Sequence, residues 1–108
     1  MAGYLLIESL DPFESNDVAH YCELAAGIAK DGHEVTVFLV QNGVLAARRG
    51  ARSDVVANLT RSGIKVLADE FSLRERGINA DHLAPGVEPA PLDVVIDRLA
   101  EGRKVLWH

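Results

Sequence analysis

One cysteine in 108 residues, Cys22, excludes an intramolecular disulfide and any zinc site built on several thiolates. So few thiols suit a reducing compartment, and a cytoplasmic setting is expected. Basic residues are outnumbered 11 to 16, for a formal charge of -5. That balance excludes a protein whose main task is gripping phosphate backbones, so no nucleic-acid partner is expected. The longest apolar stretches are broken by charge well short of the roughly 20 residues of a membrane helix, so no membrane partner is expected either. Met1-Ala2-Gly3-Tyr4 lacks the basic start of a signal peptide, and the apolar run after it is too short for one. Glycine is missing between Gly3 and Gly27, which excludes a dinucleotide-binding fingerprint after the first strand. There is no G-x-x-x-x-G-K-S/T phosphate cradle, no serine in a G-x-S-x-G elbow, and no pair of histidines at helical metal spacing.

What is present is a balanced core composition, 48% hydrophobic and 25% charged. Residues 1–108 are expected to form a single domain. Tyr4-Leu5-Leu6-Ile7 reads as a strand covered on both faces. A loop around Pro12 leads to a helix over about Ser15 to Asp31, with Ser15 or Asn16 at its start. Its apolar stripe is Val18, Cys22, Ala25, Ala26 and Ala29, flanked by Tyr21 and Ile28. Val35 to Val40 is a β-branched strand; an Asn42-Gly43 turn and a short helix over Val44 to Arg49 follow. Ser53 is placed to cap a third helix, and Ile64 to Ala68 is a third strand. Phe71 to Arg76 is a short helix, and Asn79 to Pro89 is irregular, with a very short strand near Val87. Pro91 opens a last helix in which Leu92, Val95, Ile96 and Leu99 give the cleanest amphipathic pattern in the chain. Val105-Leu106-Trp107 is a closing strand. Gly32, Gly50, Gly63, Gly77 and Gly102 are the expected helix stops. Strands alternating with helices predict an α/β fold, a parallel sheet of four or five strands with helices on both faces.

Ligands bind such sheets outside the carboxyl ends of the strands. Three loops qualify, Glu8 to Asn16, Gln41 to Val44 and Asp69 to Ser72. They gather Asp11, Ser15, Asn16, Asn42, Asp69, Glu70 and Ser72, and His20 lies one turn into the first helix. Any parallel α/β protein gathers residues there, and a solvated acidic rim is the simpler reading of the cluster. Asp69 and Glu70 could act as acid and base, although helix capping is the blander role. His20 with Asp69 and Glu70 is at best a weak metal site, and no metal or cofactor is expected. The helix starts at Ser15 and Ser53 could hold an anion, but Asp11, Glu14 and Asp17 repel one from the first. Arg48, Arg49 and Arg52, like Arg74 and Arg76, read as solvated faces or subunit contacts. Cys22 falls on the apolar stripe, where a thiol is inert and its pKa raised.

These stretches resemble the DsrE/TusD/YchN group of small sulfur-relay proteins. Tyr4 to Glu8 is similar to the family's opening strand. Ala25 to Val40, "AAGIAKDGHEVTVFLV", resembles its "A…GHEVTVFL" passage, and Gln41 to Leu45, "QNGVL", its "xDGV" turn. Gly63 to Ile78, "GIKVLADEFSLRERGI", resembles "GVKVxxCxxCLKARGI", and the tail over Ala84 to Trp107 also matches. The likeness implies a three-layer α/β/α domain with a five-stranded, mainly parallel sheet. It implies homo-oligomers, usually trimers or hexamers, or assemblies of related subunits. Relay members carry persulfide on a cysteine in the loop after the third or fourth strand. Aligned on "L-x-x-R-G-I", that cysteine falls on Asp69 and a second one on Ser72, while Asn42 stands for the commoner Asp. A carboxylate cannot hold a persulfide, so the fold is carried over and the relay is not.

The resulting expectation is a DsrE-like module or scaffold without a catalytic residue, linked to sulfur metabolism through its family. It would bind a small ligand or a protein through Asp11, Asn16, His20, Asn42, Gly43, Asp69, Glu70 and Ser72. The alternative is a sulfur carrier or sulfurtransferase subunit working through Cys22, which requires that thiol to be exposed and acidified.

Overall fold

Runs of β-branched and large apolar residues become the five strands of one sheet, as seen in a computed structural model describing residues 3–50 and 54–108. These are β1 (Gly3–Glu8), β2 (Glu34–Leu39), β3 (Lys65–Asp69), β4 (Val87–Ala90) and β5 (Lys104–Trp107). The sheet order is β4-β3-β2-β1-β5, and every pairing is parallel. The helices are α1 (Asp17–Lys30), α2 (Val55–Arg61), α3 (Glu70–Glu75) and α4 (Asp93–Ala100). The expected α/β architecture with helices on both faces is what forms. Gly32, Gly50, Gly63, Gly77 and Gly102 all take positive φ, between 66° and 91°. The proposed cap at Ser53 and the arginine at Arg52 lie outside the described residues.

Strand alternation sorts the core into two layers. Leu6, Val35, Val37, Leu39, Val66, Ala68 and Val87 face one side, with α1, α2 and the 42–47 segment packed on them. Leu5, Ile7, Phe38, Leu67 and Ala90 face the other, under Val94 and Val95 of α4. Leu5, Leu6 and Phe38 have no exposed surface at all. Burying each such side chain is worth about 1.5–3 kcal/mol.

Three local expectations need correction. The Asn42-Gly43 turn and the short helix after it are one 3-10 segment, Gln41–Ala47. The 79–90 stretch is more ordered than expected: a 3-10 turn at Ala80–His82 precedes β4, which forms a sheet edge where Pro89 is tolerated. Ala84 N–H donates to the Ala47 carbonyl at 2.7 Å and Arg49 N–H to that of His82 at 2.6 Å, pinning this stretch beside the 3-10 segment. The last correction concerns α4. Its stripe Leu92, Ile96 and Leu99 faces outward, 53, 64 and 57% exposed, and the sheet is met instead by Val94 and Val95. Helical spacing shows that an apolar face exists but not which surface will cover it.

Candidate functional site

The carboxyl ends of β1, β2, β3 and β5 carry two groups of polar side chains. The first stands on β2, β3 and α3. Asp69 ends β3 and becomes the cap of α3. Its Oδ2 accepts the Ser72 N–H at 3.0 Å and the Ser72 hydroxyl at 2.7 Å. The Ser72 Oγ in turn accepts the Gln41 N–H at 2.8 Å. Gln41 needs that anchor, because its φ of +50° is left-handed and disfavoured for any side chain but glycine. Arg76 reaches across from the end of α3. Its Nε and Nη2 donate to Asn42 Oδ1 at 3.2 and 3.0 Å, and its Nη1 donates to the Ser72 carbonyl at 3.2 Å. Arg76 is thus a tie between two loops and not a solvated face. Gly43 closes the gap to the second group: a Cβ there would collide with the Glu8 carbonyl oxygen.

The second group stands on β1, β5 and α1. Glu8 is the last residue of β1 and only 1% exposed. It follows Leu6 on the face that α1 covers. Its two carboxylate oxygens lie 2.7 and 3.0 Å from Nδ1 of His108. The His108 ring stacks on Tyr21 at 4.8 Å between centroids, with 23° between planes. The Tyr21 hydroxyl donates to the Leu106 carbonyl at 2.7 Å. Ser9 fixes the His108 carbonyl with its N–H at 2.9 Å and its hydroxyl at 2.8 Å.

This buried carboxylate sets the local electrostatics. Burial raises the Glu8 pKa, and the His108 hydrogen bond and charge oppose the rise without cancelling it. Tyr21 is held above the ordinary phenol range, first by burial and then by the Glu8 charge. The same two causes, in the same order, push Cys22 up to about 12. Cys22 is half-buried and lines a cavity of about 150 Å³ between α1 and α2, with Ala26, Asn58 and Leu59. That environment is the reverse of the acidified, exposed one that a sulfur-accepting thiol requires.

The expected rim residues are divided by this arrangement. Asn42, Gly43, Asp69 and Ser72 do come together, as an internally bonded lock between loops. Glu70 is half-buried in the first turn of α3. Asp11 shapes its own loop: Oδ1 accepts the Phe13 N–H at 2.9 Å, and its carbonyl accepts those of Glu14 and Ser15. Asn16 is exposed and makes no side-chain cap; Ser15 Oγ accepts the Asp17 N–H instead. His20 makes an ion-pair contact within its own helix. It is 77% exposed on α1, with Nδ1 3.9 Å from Glu23. Among the described residues, no three His, Cys, Asp or Glu side chains stand where they could share a metal ion. Likewise, no helix among them is long and apolar enough to cross a membrane.

Glu8, Tyr21, Gln41, Arg76 and His108 are the members that the sequence reading missed. A signal did exist for Glu8, since a carboxylate two residues after Leu6 in an apolar run must fall on the covered face. Nothing local pointed to His108, whose place beside Glu8 follows from β5 pairing with β1.

The DsrE/DsrF-like family model matches residues 4–108. Among solved structures, the YchN protein of E. coli is 21% identical, with full coverage of both chains and a TM-score of 0.89. MTH1491 of Methanobacterium thermoautotrophicum, a protein of unknown function, is 22% identical over 99% of this chain and 98% of that one, with a TM-score of 0.83. BT1422 of Bacteroides thetaiotaomicron, a conserved protein of unknown function, is 16% identical over 98% and 94%, with a TM-score of 0.76. No curated protein matches the chain.

Proposed function

The chain belongs to the DsrE/DsrF-like family, and on that premise we propose that it is a binding module of the family's fold that works without a sulfur nucleophile. The observation that carries this reading is Asp69. By the family resemblance it stands at the position of the relay cysteine, and its carboxylate is engaged by Ser72 as the cap of α3. The one thiol lies on α1, with its pKa pushed up to about 12. The ligand would be a small molecule or a protein met at the carboxyl end of the sheet; family membership supports a link to sulfur metabolism, and the proposed setting is the cytoplasm.

The module would act as a homo-trimer or homo-hexamer, or together with related subunits. The outward Leu92, Ile96 and Leu99 stripe of α4 supports an assembly of copies. A contiguous exposed apolar face is a partner surface more often than a feature of a monomer. Light scattering tests the assembly, and amide NMR against thiols, sulfur oxyanions and candidate subunits tests the site. Shifts confined to residues 8–16, 41–44, 69–76 and 106–108, without sulfur on Cys22, are expected. Loading of sulfane sulfur onto Cys22 of the native protein would sink the proposal.

A further inference from the structure

We infer that His108 is the ligand-facing hydrogen-bond and proton acceptor of the site, held in that role by Glu8. The inference deepens the binding reading and rests on it only for the existence of a ligand. The Glu8 side chain is shut away from water and both of its oxygens approach one ring nitrogen, at 2.7 and 3.0 Å. A protonated carboxyl would offer one donating oxygen. Two oxygens sharing one nitrogen is the pattern of an ionised, acceptor-only carboxylate receiving a single N–H. Nδ1 therefore carries the proton in the neutral ring, and the lone pair is left on Nε2. Tyr21 stacks on the ring and fixes its plane, while Ser9 fixes its backbone. Among the described residues Nε2 has no hydrogen-bond partner, and 27% of the side chain remains open to solvent.

A buried carboxylate that orients an imidazole and leaves its other nitrogen free is a recurrent device for accepting a proton. Here a ligand X–H would donate to Nε2. On full transfer the X–H bond breaks, an N–H bond forms, and the imidazolium keeps its Nδ1–H on Glu8, whose charge compensates it. Burial first and the Glu8 charge second raise the Tyr21 phenol and the Cys22 thiol, so the carboxylate adds to the cost of an anion nearby. The ligand class that fits is a neutral or cationic molecule presenting a weakly acidic hydrogen-bond donor; a free oxyanion does not fit.

Long-range 15N–1H spectra of the histidine-labelled chain test this directly. His108 is expected as the Nδ1–H tautomer; finding it as Nε2–H in the native chain overturns the inference without any variant. Carbethoxylation by diethyl pyrocarbonate, located by peptide mass spectrometry, reads the free lone pair. His108 should react at least as fast as the far more exposed His20, and about tenfold more slowly in Glu8→Gln. Labelling slower than that of His20, or unchanged in the variant, counts against the role. Phenol, a neutral O–H donor, should move the Nε2 resonance and inorganic phosphate should not; the opposite order refutes the ligand class. A protein that assembles and keeps Cys22 inert, yet shows the Nε2–H tautomer, loses this inference alone and leaves the binding reading intact.

Discussion

The state of Cys22 can be tested quantitatively. Its pKa stands at about 12 against an ordinary value of 9.0, through burial first and the Glu8 charge second. Disulfide reagents react with the thiolate. At neutral pH the folded chain should hold on the order of a thousandth of the thiolate of the unfolded chain. Labelling with a chromogenic disulfide should therefore be about a thousandfold slower in native buffer than in guanidinium chloride, with one thiol reacting in each case. Because only ionisation is limiting, the native rate should rise tenfold for each pH unit as long as the protein stays folded. Glu8→Gln removes the second cause and leaves the first. It should speed native labelling, though not to the unfolded rate. Native labelling within tenfold of the unfolded rate would refute the burial argument and restore the sulfur-carrier alternative.

Asp69→Ala removes the cap and leaves the Ser72 N–H and hydroxyl without their acceptor; a loss of about 1–2 kcal/mol in urea unfolding is expected. Gly43→Ala drives a Cβ into the Glu8 backbone and should cost about 1–3 kcal/mol in the same assay. Ile96→Asp should reduce the mass measured by light scattering to that of the monomer while leaving helix content unchanged, because the side chain is 64% exposed in the single chain. Glu8 gives a pH signature. Its carboxyl is raised above 4.5, so between that value and its folded pKa the native state binds more protons than the unfolded chain. Stability should fall as pH rises through that window, and urea midpoints of Glu8→Gln should lack the slope.

The fold was legible because several independent signals agreed. Apolar runs such as Tyr4 to Ile7 are too short for helices, glycine punctuates the ends of the helices, and β-branched residues crowd the 35–40 segment. Each is a local property of backbone and side chain. The site was legible only in part, because a site is made by strand order. Asp69, Ser72 and Asn42 could be gathered from the rule that ligands meet parallel sheets at their carboxyl ends. Their real roles depend on which atom accepts which N–H, and no spacing reveals that. Glu8 and His108 are a hundred residues apart in the chain, and they meet because β5 lies beside β1. The α4 stripe shows the complementary failure. Periodicity measures how a helix divides its faces, and Val94 with Val95 was enough to satisfy the sheet.

The two polar groups at the sheet end also show how the loops are held together when position 69 carries a carboxylate. A thiolate at position 69 would sit where β3 turns into α3, and the free N–H groups of the helix start would stabilise its charge. Asp69 uses the same N–H groups through its own carboxylate, and adds the Ser72 hydroxyl, which in turn holds the strained Gln41. Restoring a thiol by Asp69→Cys would therefore disturb more than one residue. It would leave Ser72 without its acceptor and loosen the anchor of the 41–43 loop, which packs on Glu8. A nucleophile placed there would not by itself recreate a relay site, because the loop that should shape it depends on the carboxylate being removed. On the proposed reading the β3 end serves as a structural lock, and the titratable group offered to a ligand is on the far side of Gly43, at His108.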